Sequence, residues 1–202
     1  GLVTTLQPED AELRMNSVGR PCPGQDIVIL GNDDEVLPAG EAGEIVGYGR
    51  LLMTGYLNRD DANEEATWTD GEGRRWLRTG DIGRLDNEGF LYLVDRKKDM
   101  ILSGAQNVYP ADIEAVAARH PGVADIAVIG VPSEKWGETP LAGVVPTGGE
   151  DTDAGALTAW INERVGKQQR VAGVVFVEEL PRNPNGKVLK RELRRDYADT
   201  RV

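Results

Sequence analysis

The chain has 202 residues, of which 40% are hydrophobic and 28% charged, so it predicts a globular protein with room for one or two domains. Its formal net charge of −11 argues against broad binding to nucleic acids or to anionic membranes. No apolar run approaches about 18 residues and no signal peptide is recognised, so neither a membrane span nor export is expected.

Cysteine and histidine are each present once. The lone Cys22 excludes an internal disulfide and fits a reducing compartment, so we expect a cytoplasmic location. Together with the lone His120, it cannot build a Cys/His zinc site or a Cys/His catalytic pair. We therefore predict no metal ligands in this chain.

The first half of the chain has the pattern of strands and turns. Apolar runs at 26–30 and 43–49 are bounded by Gly, Asn and Asp. Segment 60–67 predicts one short helix, and segment 81–95 predicts a hairpin with Gly89 in its turn. This half is therefore expected to form a small antiparallel sheet or barrel.

The second half alternates helices and strands, as an α+β domain does. Helices are predicted at 110–120, at 153–166 and after Lys187. Strands are predicted at 123–131, 140–145 and 173–180. The clearest helix spaces its apolar residues at i, i+3, i+4 and i+8, which predicts a buried face formed by Leu157, Trp160, Ile161 and Val165.

Single motifs in this chain point to chemistry only weakly. Neither a Walker-type phosphate loop nor G-x-G-x-x-G is present. "RTGD" (78–81) alone is most typical of a turn that leads into a strand, and Lys187 alone is typical of an exposed turn. Five consecutive charges, "DRKKD" (95–99), indicate either an exposed loop or a hinge between two domains.

Taken together and in order, the motifs are far more specific. The stretches are "GRPCPGQDIVIL", "LPAGEAGEIVGYG", "MTGYLNRDDANEEAT", "WLRTGDIGRLDNEGFLYLVDRKKDMILSGAQNVYPADIE", "HPGVADIAVIGVPSEKWGETPLAGVV" and "LPRNPNGKVLKREL". This series resembles the C-terminal portion of the adenylate-forming enzymes, and within them the acyl-CoA synthetases (fatty-acid–CoA ligases). The resemblance covers nearly the whole chain.

The resemblance implies a reaction in two steps. A carboxylic acid, with fatty acids favoured, attacks the α-phosphate of ATP and gives an acyl-adenylate and pyrophosphate. The thiol of CoA then displaces AMP. The implied substrates are thus the acid, ATP and CoA, and Mg²⁺ accompanies ATP on ligands outside this chain. Fatty acid and lipid metabolism is the implied context.

The resemblance also implies roles for individual residues. Asp81 is expected to bind the ribose hydroxyls, and Arg96 to contact ribose and phosphate. Lys98 matches the hinge position. Lys187 matches the lysine of the adenylation step, where an ammonium stabilises charge that develops on the phosphates.

A CoA-side loop is implied at 101–110, beside which the pantetheine of CoA passes. Its centre is Ser103, Gly104 and Ala105. Relatives usually carry a second glycine where this chain has Ala105. The methyl group of Ala105 therefore narrows the space in which the pantetheine of CoA would approach the backbone of this loop.

The implied fold is α+β, with residues 1–96 as the β-rich tail of a large AMP-binding domain and residues 97–202 as a mobile C-terminal domain. Since the phosphate loop and the acyl pocket of such enzymes would lie upstream, the isolated chain is expected to be inactive and to be part of a longer protein. Two alternatives remain: an adenylation domain that loads an acid onto a carrier protein, and a non-catalytic fragment or binding module. The identity of the acid stays open, as does the oligomeric state, for which a homo-oligomer is one possibility.

Overall fold

The computed structural model describes residues 4–148, 153–198 and 200. The chain forms two compact units, Gly1–Lys98 and Asp99–Val202. Both combine β-sheets with short helices, and the predicted α+β class is confirmed. The interpretation that two domains divide between residues 96 and 97 and move independently stays a prediction. In the described part of the chain, no helix is long and apolar enough to cross a membrane.

Unit 1 is built mainly from strands. Its elements are β1 (Thr4–Thr5), α1 (Pro8–Ala11), β2 (Arg20–Pro21), β3 (Gln25–Leu30), β4 (Gly43–Gly49), α2 (Asp60–Glu65), β5 (Thr67–Thr69), β6 (Arg75–Leu85) and β7 (Leu91–Arg96). The main sheet has the antiparallel order β3-β4-β6-β5, and β7 pairs with β6. β1 and β2 form a separate pair.

The predicted strands of unit 1 are confirmed by this sheet. Alternate residues of β3 and β4 enter opposite faces, because side chains of a strand alternate in direction. One face packs Ile27, Ile29 and Ile45 with Leu91, and the other packs Leu30, Val46 and Trp76. The predicted helix at 60–67 ends at Glu65, since Thr67 already begins β5.

The predicted hairpin at 81–95 is also confirmed. Asp86 closes its turn, because its carboxylate accepts hydrogen bonds from the backbone N–H groups of Glu88 and Phe90, both at 2.9 Å. Gly89 has φ 81°, a conformation that glycine adopts without strain. The first strand of the hairpin is longer than predicted and reaches back to Arg75.

Unit 2 alternates strands with helices. Its elements are β8 (Ile101–Ser103), β9 (Gln106–Val108), α3 (Pro110–Ala117), β10 (Val123–Ser133), β11 (Gly137–Pro146), α4 (Ala154–Asn162), a 3₁₀ helix (Lys167–Gln169), β12 (Val174–Phe176) and α5 (Lys190–Asp196). The sheet order is β10-β11-β8-β9, and β12 adds to β11 as a parallel strand.

Two apolar cores lie on opposite faces of this sheet. The first joins α3 and α4 to the sheet and contains Ile113, Leu157, Ile161 and Val128. The second joins α5 to the sheet through Leu193. The predicted buried face is confirmed on α4 for Leu157 and Ile161, which are fully buried, and for Trp160, which packs at the margin. Val165 also packs against this core but lies beyond the end of α4.

Three local predictions for unit 2 need correction. The helix predicted at 153–166 ends at Asn162, whose side chain exchanges two hydrogen bonds with the backbone of Val171. The strand predicted at 173–180 covers only Val174–Phe176. The segment 101–110, predicted as a loop, contains the antiparallel pair β8 and β9.

Candidate active site

The RTGD sequence lies inside strand β6 rather than in a turn before a strand. β6 pairs with β4 at Arg78/Val46 and again at Ile82/Glu44. The two paired positions are four residues apart in β6 but only two residues apart in β4. Residues 79–81 of β6 therefore lie opposite the single residue Ile45 of β4 and form a bulge, which changes the direction of side chains without ending the strand. Gly80 at its centre has φ 69°.

Asp81 is the last residue of this bulge and lies beside Arg96. The two residues are direct partners across β6 and β7. The Nε of Arg96 lies 2.7 Å from Oδ1 of Asp81, with side chains 47% and 32% exposed. The backbone N–H of Asp81 also donates to Oγ1 of Thr79 at 3.1 Å. The structure therefore brings together, on one hairpin, the two residues that are predicted to bind the nucleotide.

A cleft of about 650 Å³ opens beside this pair within unit 1. Thr79, Gly80 and Arg96 line it, whereas Asp81 itself does not. Among the other lining residues, the cations Arg59, Arg78, Lys97 and Lys98 outnumber the acids Glu44 and Glu65. A cleft with this surplus of positive charge suits an anionic ligand.

Glu44 is the buried centre of an ion-pair network at this cleft. Its Oε2 accepts from Nη1 of Arg78 at 2.6 Å and from Nζ of Lys97 at 2.8 Å, and its side chain is 6% exposed. Arg78 also pairs with Asp34 at 2.6 Å. Burial works to lower the pKa of Arg78, but its hydrogen bonds to Asp34 and Glu44 outweigh burial and raise that pKa. Arg78 therefore remains a fixed cation.

The charged segment 95–99 is neither a plain exposed loop nor a single element. Asp95 and Arg96 end β7, and Lys97–Asp99 form a 3₁₀ helix. Asp99 is buried and pairs with Arg194 of α5 at 3.0 Å. Lys98 is exposed, and within the described residues its side chain makes no hydrogen bond or ion pair. The exposed-loop interpretation is therefore wrong for the ends of this segment.

The predicted CoA-side residues form the tip of a hairpin in unit 2. Ser103 pairs with Gln106, so Gly104 and Ala105 are the two residues of the turn. Their φ values are 57° and 64°. Both residues are therefore in the left-handed conformation, as the two central residues of a type I′ hairpin turn must be. A Cβ on Gly104 would lie 2.7 Å from the Trp136 ring, so a larger residue does not fit there.

A second, smaller cleft lies beside this hairpin. It measures about 200 Å³ and is lined by Ser103, Trp136, Thr139, Lys167, Gln168 and Arg170. Ser103 and Thr139 are buried polar residues, while Lys167 and Arg170 add two cations. The lining thus combines an aromatic ring, hydroxyl groups and positive charge.

Lys187 is exposed at the end of a tight turn in unit 2. The chain before and after it is joined by a bridge between Arg182 and Val188 and by a hydrogen bond of 2.7 Å from Leu189 N to Pro181 O. Lys190 follows at the start of α5 and pairs with Glu114 of α3 at 2.7 Å. Lys187 is therefore carried on a segment tied to the body of unit 2.

The predicted residues are divided between the two units. Asp81, Arg96 and Lys98 belong to unit 1, and Ser103–Ala105 and Lys187 belong to unit 2. Glu44 was missed by sequence reasoning, although a charge inside the apolar run 43–49 was a usable signal. Within the described residues, no group of three or more His, Cys, Asp or Glu side chains could hold a metal ion.

Residues 112–187 match the family described as the AMP-binding enzyme C-terminal domain. The chain is 43% identical over 197 residues to the long-chain-fatty-acid–CoA ligase FadD13 of Mycobacterium tuberculosis, a match that spans 98% of this chain and 38% of that ligase. It is 41% identical over 192 residues to the 2-succinylbenzoate–CoA ligase of Bacillus subtilis, spanning 95% of this chain and 38% of that enzyme.

The fold is similar as well. The o-succinylbenzoate CoA synthetase of Bacillus subtilis, solved in complex with its acyl-adenylate intermediate, superimposes with a TM-score of 0.81 at 40% identity. The superposition covers 96% of this chain and 38% of that structure. This chain thus spans well under half the length of the proteins it matches.

Proposed function

Because residues 112–187 match the family described as the AMP-binding enzyme C-terminal domain, we propose that the chain works as the C-terminal part of an acid–CoA ligase. The observation that carries the proposal is the pairing of Asp81 with Arg96 beside a cleft rich in cations. The relatives are ligases for a fatty acid and for 2-succinylbenzoate by name, so the proposal specifies a carboxylic acid and no particular one. Both names specify CoA, which favours CoA over a carrier protein as the acceptor.

In the first step, a carboxylate oxygen of the acid attacks the α-phosphorus of ATP and the bond to pyrophosphate breaks. Asp81 accepts hydrogen bonds from the ribose hydroxyls, since its second oxygen is not used in the 2.7 Å contact with Arg96. Arg96 can then direct its remaining donors to ribose or phosphate oxygens. Both residues act by positioning the nucleotide rather than by moving protons.

Lys187 supplies a positive charge to the same step. As charge builds on the α-phosphate and the departing pyrophosphate, an ammonium group close to them stabilises the transition state. The exposed position of Lys187 on a short turn suits a group that must approach a ligand. Lys187 acts through its charge and takes no part in proton transfer.

In the second step, the thiol of CoA attacks the acyl carbon, loses its proton, and the bond to AMP breaks. The Ser103–Ala105 hairpin tip and the cleft beside it are proposed to border the path of CoA. Lys167 and Arg170 provide two cations for the phosphate groups of CoA, and Trp136 provides an aromatic face for its uncharged parts. Between the steps, torsional change at Lys98 is proposed to exchange the residues presented to the substrate.

A fusion with a characterised relative tests this function. The matching 38% of the Bacillus subtilis 2-succinylbenzoate–CoA ligase is replaced by this chain, giving the fusion ligase. Adenylate formation is measured in a single turnover with ATP and 2-succinylbenzoate, and thioester formation is measured separately from preformed adenylate and CoA. Thermal unfolding verifies that the fusion ligase is folded.

We expect the fusion ligase to carry out both half-reactions, and its Lys187→Ala variant to lose only the first. The 202-residue chain alone is expected to give no acid-dependent pyrophosphate exchange. A folded fusion ligase that performs neither half-reaction contradicts the proposal. Pyrophosphate exchange by the isolated chain would show that the chain holds more of the active site than we propose.

A further inference from the structure

We propose that Asn183 and Arg182 are positioning residues that fix the backbone from which the Lys187 side chain extends. The inference rests on the proposed function of Lys187 and deepens it. A flexible lysine on a flexible loop would spend little time at the phosphate. A lysine on a braced turn has only its own side-chain torsions to order, so less entropy is lost when it binds.

Asn183 holds both backbone polar groups of Lys187. Its own N–H donates to the Lys187 carbonyl at 2.9 Å, and its side-chain Oδ1 accepts from the Lys187 N–H at 2.9 Å. The same Oδ1 accepts from Asn185 N–H at 3.0 Å. The backbone of Lys187 is thus fixed relative to a residue four positions earlier in the chain.

The residues between Asn183 and Lys187 restrict the conformation of the turn further. Gly186 N–H donates to the Asn183 carbonyl at 2.9 Å, and Gly186 has φ 80°, which a side chain would oppose. Pro184 fixes its own φ and restricts Asn183 before it. The turn therefore has few alternative conformations even though its side chains are exposed.

Arg182 fastens this turn to the sheet. Its Nη1 donates to the Gly186 carbonyl at 2.6 Å, and its Nη2 pairs with Asp125 of β10. One planar guanidinium thereby joins the carbonyl next to Lys187 to the longest strand pair of unit 2. Lysine at this position has a single ammonium and would not reproduce the geometry of two separate donors.

The absence of charge on the Asn183 side chain also favours the proposed function of Lys187. The Asn183 amide accepts the two backbone hydrogen bonds without placing a negative charge beside the Lys187 ammonium. Aspartate would keep the acceptor oxygen and add a charge that attracts the ammonium away from phosphate. Asn183→Asp therefore separates the effect of the backbone geometry from the effect of charge.

The first arm of the test uses the 202-residue chain and does not depend on catalysis. Hydrogen exchange of the Lys187 amide is followed by NMR in the unaltered chain, in Asn183→Ala and in Asn183→Asp. We expect Asn183→Ala to speed exchange of this amide at least tenfold and Asn183→Asp to restore most of its protection. The control is Asn185→Ala, since the exposed Asn185 side chain makes no hydrogen bond in the described part of the chain and its removal should leave exchange unchanged.

The second arm measures both half-reactions in the fusion ligase. Asn183→Ala and Arg182→Met should each slow adenylate formation roughly tenfold to a hundredfold, because small displacements of a catalytic group cost about that much. Thioester formation from preformed adenylate should stay within twofold of the unaltered fusion ligase, as should both half-reactions of Asn185→Ala. A merely structural role for Asn183 would slow both half-reactions together.

The proposal is overturned if Asn183→Ala slows adenylate formation no more than Asn185→Ala does. It is also overturned if the Lys187 amide exchanges equally fast with and without the Asn183 side chain. Failure of the proposed function looks different: Lys187→Ala would then leave adenylate formation intact while amide protection still depended on Asn183. In that case Asn183 and Arg182 would hold a residue that has no catalytic function, and the proposal would be rejected.

Discussion

Arg96 lies directly opposite Asp81 on the neighbouring antiparallel strand, with its Nε 2.7 Å from the Asp81 carboxylate. Both side chains are partly exposed, and ion pairs of this kind contribute only about 0–1 kcal/mol to stability. The pair therefore does little to hold the sheet together. Its evident effect is to fix a carboxylate and a guanidinium side by side at the edge of a cleft.

The first prediction separates binding from stability at this pair. Asp81→Asn in the fusion ligase should change the free energy of unfolding by less than about 1 kcal/mol. It should weaken AMP binding roughly 10- to 100-fold, because hydrogen bonds to a charged group contribute about 1.5–3 kcal/mol. Isothermal titration calorimetry with AMP measures the loss, and Asp26→Asn, at an exposed position of β3, is the control. Unchanged AMP affinity in Asp81→Asn would remove Asp81 from the nucleotide site.

The second prediction concerns the ammonium of Lys187. Lys187→Ala in the fusion ligase should slow adenylate formation by about 10²–10³, the usual effect of removing one preorganised electrostatic partner. Thioester formation from preformed adenylate should be nearly intact, as should the melting temperature, because the side chain is exposed. Single-turnover kinetics of each half-reaction measure this. Equal losses in both would mean that Lys187 has a structural role.

The third prediction concerns the backbone of Lys98. Its neighbours are both held, Lys97 by Glu44 at 2.8 Å and Asp99 by Arg194 at 3.0 Å, so torsional change is expected at Lys98. Lys98→Pro fixes φ near about −65° and removes the N–H. We expect adenylate formation to survive and thioester formation to fail, since the second step requires a change of conformation after the first.

Lys98→Ala is the matched control for this prediction. It removes the side chain but leaves both torsions free, so its effect on either half-reaction should be small. If Lys98→Pro slows both half-reactions by the same factor, or slows neither, the hinge assignment is wrong.

The fourth prediction concerns strain at Ala105. A residue with a Cβ pays roughly 1–2 kcal/mol in the left-handed conformation, and Ala105 has φ 64°. Ala105→Gly relieves this cost but adds freedom to the unfolded chain, so the net gain in stability should be about 0.5–1 kcal/mol. Urea unfolding of the 202-residue chain measures it. Gly104→Ala is the opposite case and should destabilise, because its Cβ would meet the Trp136 ring. A loss of stability in Ala105→Gly would show that the methyl group makes favourable contacts.

Elements with a strong local pattern were predictable from the sequence. The runs at 26–30 and 43–49 form β3 and β4 because near-continuous apolar runs suit a sheet whose two faces are both packed. The stripe on α4 was predictable for a similar reason. The hairpin formed by β8 and β9 was not, because strands of three residues are too short to show a period.

Features of the site that depend on distant partners were hidden in the sequence. Glu44 joins Arg78 and Lys97, which lie 34 and 53 residues further along the chain. The bulge at RTGD depends on its register with β4, which local residue preferences do not encode. Asn183 stood inside a motif already noted, yet its role as an acceptor for the Lys187 backbone depends on turn geometry.

The second apolar core of unit 2 has a consequence for the order in which the protein is assembled. Ile129 and Leu141 lie on the face of the sheet that Leu193 of α5 helps to cover. A ribosome delivers Leu193 more than fifty residues after Leu141, so during synthesis this face waits uncovered while the opposite face can already receive α3 and α4. A chain interrupted just before α5 would keep Lys187 but lack Leu193. It would carry a bare apolar sheet surface, which favours aggregation and removal by quality control.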